Sequence, residues 1–361
     1  MKVTLQNEFA CNFGYFFLEV FTMHMSDALV SPAVGGVMIA ASVGAAAYSV
    51  YKCNKDELID SKKVPMMGVM GAFVFASQMI NFTIPGTGSS GHIGGGILLA
   101  SVLGEFPAFL TIIAVLLIQA LFFADGGLLA LGCNVFNMGV IPCLLIYPLV
   151  FKALFRKKRS NSMIILASLI ACILGLQLGS FGVVLETQIS GITALPFGVF
   201  VGLMQPIHLA IGAVEGIITS AVLVYLNHAR PELLDNAAFN KPIAKAASIK
   251  KVIIVLSVLT VLIAGGLSLV ASANPDGLEW SIFHTTGSEE LDAEGEVYDN
   301  AAAVQEATSV LPDYSFKEND SPLGTTVSGI VGGAIVLVLA CVCGGAIYLI
   351  KKRKSVNEKD K

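Results

Sequence analysis

Apolar runs long enough to cross a lipid bilayer recur along this chain, and they limit its fold more than any other feature. They cover roughly residues 30–51, 66–82, 92–104, 106–123, 128–151, 162–181, 193–227, 252–273 and 327–350. A membrane helix needs about 20 apolar residues. Inside hydrocarbon the main chain must satisfy its own hydrogen bonds, so runs of this length are read as helices. Of 361 residues only 13% are charged and 55% are hydrophobic, against about a quarter charged in an ordinary soluble domain. The 36 glycines suit membrane helices that pack through small side chains. The run at 92–104 is too short to span alone and is expected as a half-helix, a re-entrant piece or an extension of a neighbour. The run at 193–227 contains Pro196 and Pro206, so it is expected to be broken or to begin as a loop. The expected fold is an all-α polytopic membrane protein, with a bundle of about seven helices followed by two more.

Basic residues between these runs set an expected orientation, because cytoplasmic loops collect Lys and Arg. Lys52, Lys55, Lys62 and Lys63 lie between the first two runs. Arg156, Lys157, Lys158 and Arg159 follow the fifth, Arg230, Lys241, Lys245, Lys250 and Lys251 precede the eighth, and Lys351, Lys352, Arg353 and Lys354 follow the last. With about nine crossings all four clusters fall on one side, taken as the cytoplasm of an inner cell membrane. The opposite, external side then receives Met23 and an acidic loop at 274–325. That loop carries Glu279, Glu289, Glu290, Asp292, Glu294, Glu296, Asp299 and Glu306. The expected division is a membrane domain at 23–227, a cytoplasmic linker at 228–251, a second unit at 252–350 and a basic tail at 351–361.

Several function classes are disfavoured. Seven cysteines (Cys11, Cys53, Cys133, Cys143, Cys172, Cys341 and Cys343) show neither zinc-type spacing nor a disulfide framework. No G-x-x-x-x-G-K-[ST] stretch is present, so the chain does not hydrolyse ATP by a P-loop mechanism. Gly86, Gly88 and Gly91 match G-x-G-x-x-G, but a dinucleotide site needs that pattern between a strand and a helix of a βαβ unit. A metal-dependent enzyme needs convergent acids and bases around an open metal position, and no such cluster is visible.

One histidine stands out against this background. His24 follows the internal Met23 in Met23-His24-Met25-Ser26-Asp27, just ahead of the first apolar run. Residues 1–22 lack a signal-peptide pattern, since Glu8 and Glu19 bracket a short aromatic stretch, and are read as a mis-assigned start or dispensable extension. If the chain begins at Met23, its terminal amine, the His24 main-chain nitrogen and the imidazole close fused five- and six-membered rings on one metal ion. Such a flat nitrogen set favours Ni(II) or Cu(II). The glycine-rich segment Pro85–Gly96 carries His92 to the same external side. A lone histidine near a membrane surface is more often structural. Two on one side, one of them beside a possible free amine, reverse that expectation.

The chain then resembles a known family. Met23-His24 with Asp27, Ser90-Gly91-His92, Gln119–Gly127, Gly132–Gly139 and His208–Gly216, in that order, are similar to CbiM/NikM. These are the substrate-binding components of energy-coupling-factor transporters for cobalt and nickel. The resemblance covers about residues 23–227. Pro275-Asp276-Gly277-Leu278-Glu279-Trp280 and Leu311-Pro312-Asp313-Tyr314 resemble the PDGLE-type small component NikN, as in fused NikMN proteins. The resemblance implies Ni(II) or Co(II) as transported substrate, no cofactor of the chain's own, and no covalent chemistry. It implies metal held by the amine and main-chain nitrogen at Met23-His24, by the His24 imidazole and by His92. The implied partners are a transmembrane coupling protein of the CbiQ/NikQ type and a cytoplasmic ATPase of the CbiO/NikO type. Cobalt uptake for corrinoid synthesis is the alternative, and the PDGLE-like unit argues for nickel. A metal sensor or membrane scaffold is a rival of another class.

Asp27 and Ser90 belong to the expected surroundings of the metal. Asp125, Asn134 and Asn137 are polar groups within apolar runs, costly in lipid and so expected to face the interior, either supporting a ligating imidazole or bonding helix to helix. His208 and Glu215 share a helix face, and structural roles deeper than the metal site are expected of them. His228 and His284 are expected in loops, apart from the metal. Asp276 and Glu279 are expected to fix the external loop or attract cations. Ala33, Gly36, Ala40, Ala41, Gly44, Ala45 and Ala47 on the first helix offer either a docking face or internal packing.

Overall fold

A computed structural model describes residues 24–241, 248–288, 291–317, 321 and 323–357. The extension at 1–22, Met23, Lys245, Glu289 and Glu290 lie outside the described residues. The helices are α1 (Pro32–Lys55), α2 (Lys63–Gln78), α3 (Gly96–Leu103), α4 (Glu105–Phe122), α5 (Leu131–Lys157), α6 (Asn161–Ser190), α7 (Phe197–Ala229), α8 (Pro231–Phe239), α9 (Lys250–Gly265), α10 (Gly277–Thr286), α11 (Glu296–Thr308) and α12 (Leu323–Asn357). Six of them, α1, α4, α5, α6, α7 and α12, are long and apolar enough to cross a membrane. α2 and α9, at 16 residues each, extend the bundle. The all-α polytopic class expected from hydropathy is the class observed. β1 (Phe82–Ile84) and β2 (Ser89–Gly91) form one antiparallel hairpin, with Ile84 opposite Ser89. Gly86 and Gly88 make its turn in the left-handed region (φ 79° and 78°), which glycine enters without steric cost.

Local chemistry explains the boundaries. Ser31 caps α1 by accepting the Val34 N–H, with Pro32 at the first helical position. Ser160 caps α6 through Met163. The short run at 92–104 is the eight-residue half-helix α3. Its main chain is covered by α2, α4, α5 and α8, the condition under which short helices survive at membrane depth. Pro196 stands just before α7 while Pro206 sits inside the unbroken helix, so the run begins as a loop and is not broken. Within α5, residues Phe136–Phe151 are wound more widely, with i→i+5 hydrogen bonds, and enclose Pro142 and Pro148.

Three stretches read as loop or linker are helical instead. The 228–251 segment contains α8, whose Leu233, Leu234, Ala237 and Ala238 are buried against the bundle. The acidic segment contains α10 and α11. His228 lies in α7 and His284 in α10, both exposed.

The basic clusters converge at one end. Lys351 pairs with Glu57 at 3.0 Å, Arg159 with Asp235 at 3.3 Å, and Lys152 with Glu105 at 2.8 Å. Lys52 lies over the Phe106 ring, 5.9 Å from its centroid. At the opposite end the second unit folds over the first. Tyr298 Oη donates to Val30 O, Gln305 Nε2 to Gly126 O, and Ser272 N to Asn81 O. α12 runs through the bundle against α2, α4 and α9. Gly68 and Gly71 of α2 face Leu337 and Val336 of α12 across this contact.

Candidate metal centre

The arm leading into α1 is short and largely buried, with Met25, Leu29 and Val30 in an apolar cluster. Asn134 of α5 accepts the Met25 N–H at 3.1 Å and donates to Met25 O at 3.1 Å. Asp27 Oδ1 accepts the Ala130 N–H at 2.9 Å, and Gly127 N–H donates to Met25 O. Gly126, at φ 81°, lets the α4–α5 loop approach so closely that a Cβ there would lie 2.7 Å from His24 Cβ. These contacts seat His24 in the interior, 3% exposed. Its Nδ1 lies 2.8 Å from Asp125 Oδ1. Its Nε2 is buried without a hydrogen-bond partner among the described residues.

The second arm is the hairpin. β2 is followed by His92, half-buried, and the Glu215 carboxylate of α7 grips the next turn by accepting Gly94 N–H and Gly95 N–H, each at 2.9 Å. Gln78 Nε2 donates to Gly94 O, and Gln119 Nε2 to Gln78 Oε1. His92 Nδ1 lies 3.1 Å from Ile93 O, an acceptor, which sets the tautomer with the proton on Nδ1 and the lone pair on Nε2. The two imidazoles meet with ring centroids 5.5 Å apart.

One cavity opens beneath them. Its walls include His24, His92, Asn134, Asn137, Met138, Pro142, His208, Glu215, Asp276 and Gly277. Met138 and Pro142 come from the wide turns of α5, and such turns recur at functional sites. Asn137 also donates to Glu186 Oε2 at 2.7 Å, a bond between α5 and α6. Ser90 lies on the outer side of the hairpin, where its Oγ donates to Asn274 O. His208 and Glu215 share a face as expected, but that face lines the same cavity as His24 and His92 and is not separate from it. Helical spacing shows which residues share a face and is silent on depth, so sequence reasoning missed His208 and Asp276 as wall residues.

The second unit supplies part of this site. Asp276 accepts the Leu278 and Glu279 N–H groups at 2.8 Å while Glu279 accepts the Asp276 N–H, a reciprocal capping box at the start of α10. Burial pushes Asp276 up to about 7, against the pull of those two amides and of His24. Ser90 N–H donates to Pro275 O at 2.7 Å, and Trp280 Nε1 to Thr87 O at 3.0 Å. Tyr314 Oη donates to Asp125 Oδ2 at 2.6 Å. Burial opposes the ionised form of Asp125, yet His24, Tyr314 and His92 together hold its carboxyl below the usual carboxylate range.

Chemically, the arrangement brings two imidazoles to one pocket, one backed by a carboxylate in the manner of a ligating imidazole. Among the described residues no group of three or more His, Cys, Asp or Glu side chains is poised to hold a metal. A site built here must therefore draw on few side chains. The fused-ring chelate expected from sequence closes through Nδ1, the His24 nitrogen that lies beside Asp125 Oδ1 here.

The family model described as the cobalt uptake substrate-specific transmembrane region, CbiM, matches residues 24–233. This chain belongs to the CbiM family. A PDGLE domain matches residues 250–351. A protein of Archaeoglobus fulgidus assigned as a fused nickel transport protein, NikMN, is 34% identical over 88% of this chain and 96% of its own length. The fused nickel transport protein NikMN of Rhodobacter capsulatus is 30% identical over 87% and 95%. A solved structure described as a truncated transition metal transporter is 32% identical, covering 57% of this chain and 99% of its own, with a TM-score of 0.50. The CbiM match begins at His24 and takes in both histidine arms, while the PDGLE match takes in Asp276 and Tyr314.

Proposed function

We propose that this chain is the substrate-binding membrane component of an importer for Ni(II), or for Co(II), and that the metal is held by His24 and His92. The observation that carries this reading is the pair of imidazoles 5.5 Å apart, one of them buried with Nε2 unpartnered, at the mouth of a cavity among transmembrane helices. An unpartnered buried nitrogen costs free energy that a metal ion would recover. The nickel names of the two fused relatives favour nickel.

Met23 enters a second coordination. Where the chain begins at Met23, its amine and the His24 main-chain nitrogen complete a four-nitrogen plane once the His24 ring turns Nδ1 from Asp125 to the metal. The Met23-His24 order favours it. The d–d absorption of bound Ni(II) separates the two, because a square-planar amide–amine–imidazole set gives a strong band near the visible edge and a set of imidazoles and water does not.

The mature arm and the acidic segment face outward in this reading, with the basic end in the cytoplasm of the cell membrane. Transport energy comes from an ATPase acting through a coupling membrane protein of the CbiQ/NikQ type. The small residues of α1, among which Gly36, Ala40, Ala41, Gly44 and Ala47 are exposed, are the face offered to it. The test is Ni(II) titration of the purified full chain beside His24→Ala and His92→Ala. Each variant is expected to lose at least two orders of magnitude in affinity, and unchanged affinity in both sinks the reading. Binding displaces protons from its ligands, so affinity is expected to fall below about pH 6.5, where free imidazole protonates.

A further inference from the structure

We propose that Asp276, in the second unit, is the residue that draws the incoming divalent cation into the cavity between the two histidine arms. The inference rests on the reading of His24 and His92 as the holders of the metal. It gives the fused second unit a task of its own, which is to set how fast the site fills.

Three observations carry it. First, the charge in this cavity is one-sided. Its walls carry two carboxylates, Glu215 and Asp276, and no Lys or Arg among the described residues. Each oxygen of Glu215 already accepts a main-chain amide, Gly94 N–H on Oε2 and Gly95 N–H on Oε1. Asp276 takes both of its amides, Leu278 and Glu279, on Oδ1, so the helix cap makes no use of Oδ2. Second, the turn that bears Asp276 is fastened to both arms. Ser90 N–H donates to Pro275 O and Ser90 Oγ to Asn274 O, each at 2.7 Å, which ties the turn to the His92 hairpin. Leu278 and Ile282 share an apolar cluster with Met25 and Leu29 of the His24 arm. Third, the glycine of the turn lets it close on α7. A Cβ on Gly277 would lie 2.7 Å from Ile207 Cγ2 and 3.1 Å from His208 Cε1, so a larger residue would push α10 away. The carboxylate is thereby seated where the arms converge, 6% exposed and close enough to His24 for the two to interact electrostatically.

A cleft lined by one sign of charge between walls of low dielectric concentrates counter-ions and raises their association rates by about 10- to 1,000-fold. A single carboxylate belongs at the low end of that range. Its two tasks, capping α10 and supplying charge, can be separated by substitution. Asparagine caps a helix as well as aspartate does and carries no charge. Glutamate keeps the charge and gives up the short side chain that reaches its own helix amides.

The test is stopped-flow absorption of Ni(II) binding to the purified full chain, with the spectrum of the bound metal and the thermal transition recorded for each variant. The traces are taken at about pH 8, on the ionised side of the Asp276 value of about 7. Asp276→Asn is expected to slow association about tenfold, with the spectrum and the thermal transition of the parent. Asp276→Glu is expected to load at the rate of the parent while melting at a lower temperature, because its cap is weakened. Trp280→Phe loosens the same turn by removing the bond to Thr87 O without changing its charge, and is expected to load like the parent. Parental loading by Asp276→Asn overturns the proposal. So does a loss in Asp276→Glu or Trp280→Phe as large as that in Asp276→Asn, since the effect would then belong to the shape of the turn. His24→Ala and His92→Ala in the same experiment keep the two readings apart. If they bind like the parent, the site falls and this inference with it; if they fail while Asp276→Asn loads normally, only this inference falls.

Discussion

The two imidazole-bearing arms are fastened in opposite ways. The His24 arm is held at the ring, by Asp125, and just after it by Asn134 on the Met25 main chain and by the Asp27 carboxylate on the Ala130 amide. The His92 arm is held by its backbone, with Glu215 on two successive amides, Gln78 on a carbonyl and Pro275 on Ser90. One ring is therefore aimed by a side chain, and the other is carried on a rigid main-chain platform. The lesson is that the arms should fail differently: damage to the platform displaces a whole donor, while damage around His24 changes how well a donor already present is aimed.

The largest effect is expected for Glu215→Ala. It leaves the Gly94 and Gly95 amides without their carboxylate, at about 2–4 kcal/mol in stability, and frees the platform. Nickel titration of the variant in detergent should show His92 lost as a ligand, with the spectrum of a single-imidazole site. A normal spectrum would break the distinction between the arms. Next comes Gly126→Ala. It forces a Cβ into left-handed backbone beside His24 at about 1–3 kcal/mol, and metal affinity should fall about tenfold with both imidazoles still bound. A spectrum lacking one imidazole would show that the His24 arm also fails by displacement. The smallest effect is expected for Trp280→Phe, which removes the bond to Thr87 O and about 1 kcal/mol. The platform keeps its other supports, so affinity should change less than about threefold; a larger drop would make the second unit's grip on the hairpin dominant.

Hydropathy located the membrane helices because their lengths and composition answer to the bilayer, which is why the run at 106–123 coincides with α4 (Glu105–Phe122) and the run at 327–350 with the core of α12. It was blind to α8 and α10, which rest on packing of a few apolar residues such as Leu233 and Leu278 and, in α10, on the Asp276 capping box, and to α11, which buries no residue, because none of the three is a long apolar stretch. Around the candidate site, residues near Met23-His24 and in the S-G-H loop were visible as motifs. Tyr314 was not, because nothing local marks a tyrosine 189 positions from Asp125 as its partner. Glu215 read as structural, and its grip on two amides is a structural task; only the fold reveals that the task is to carry a candidate ligand.

The course of α12 has a consequence for covalent continuity. Because this helix runs against α2, α4 and α9, the part that reaches Asp125 and the part that bears both histidines are packed into one body. Joined in a single chain, each meets the other at an effective concentration of about millimolar, whatever the protein's abundance. Cut between 241 and 248, the same contacts would depend on two pieces meeting in the plane of the bilayer. Completion of the site would then follow how crowded the membrane is with each piece, turning a fixed property of the molecule into one set by expression level.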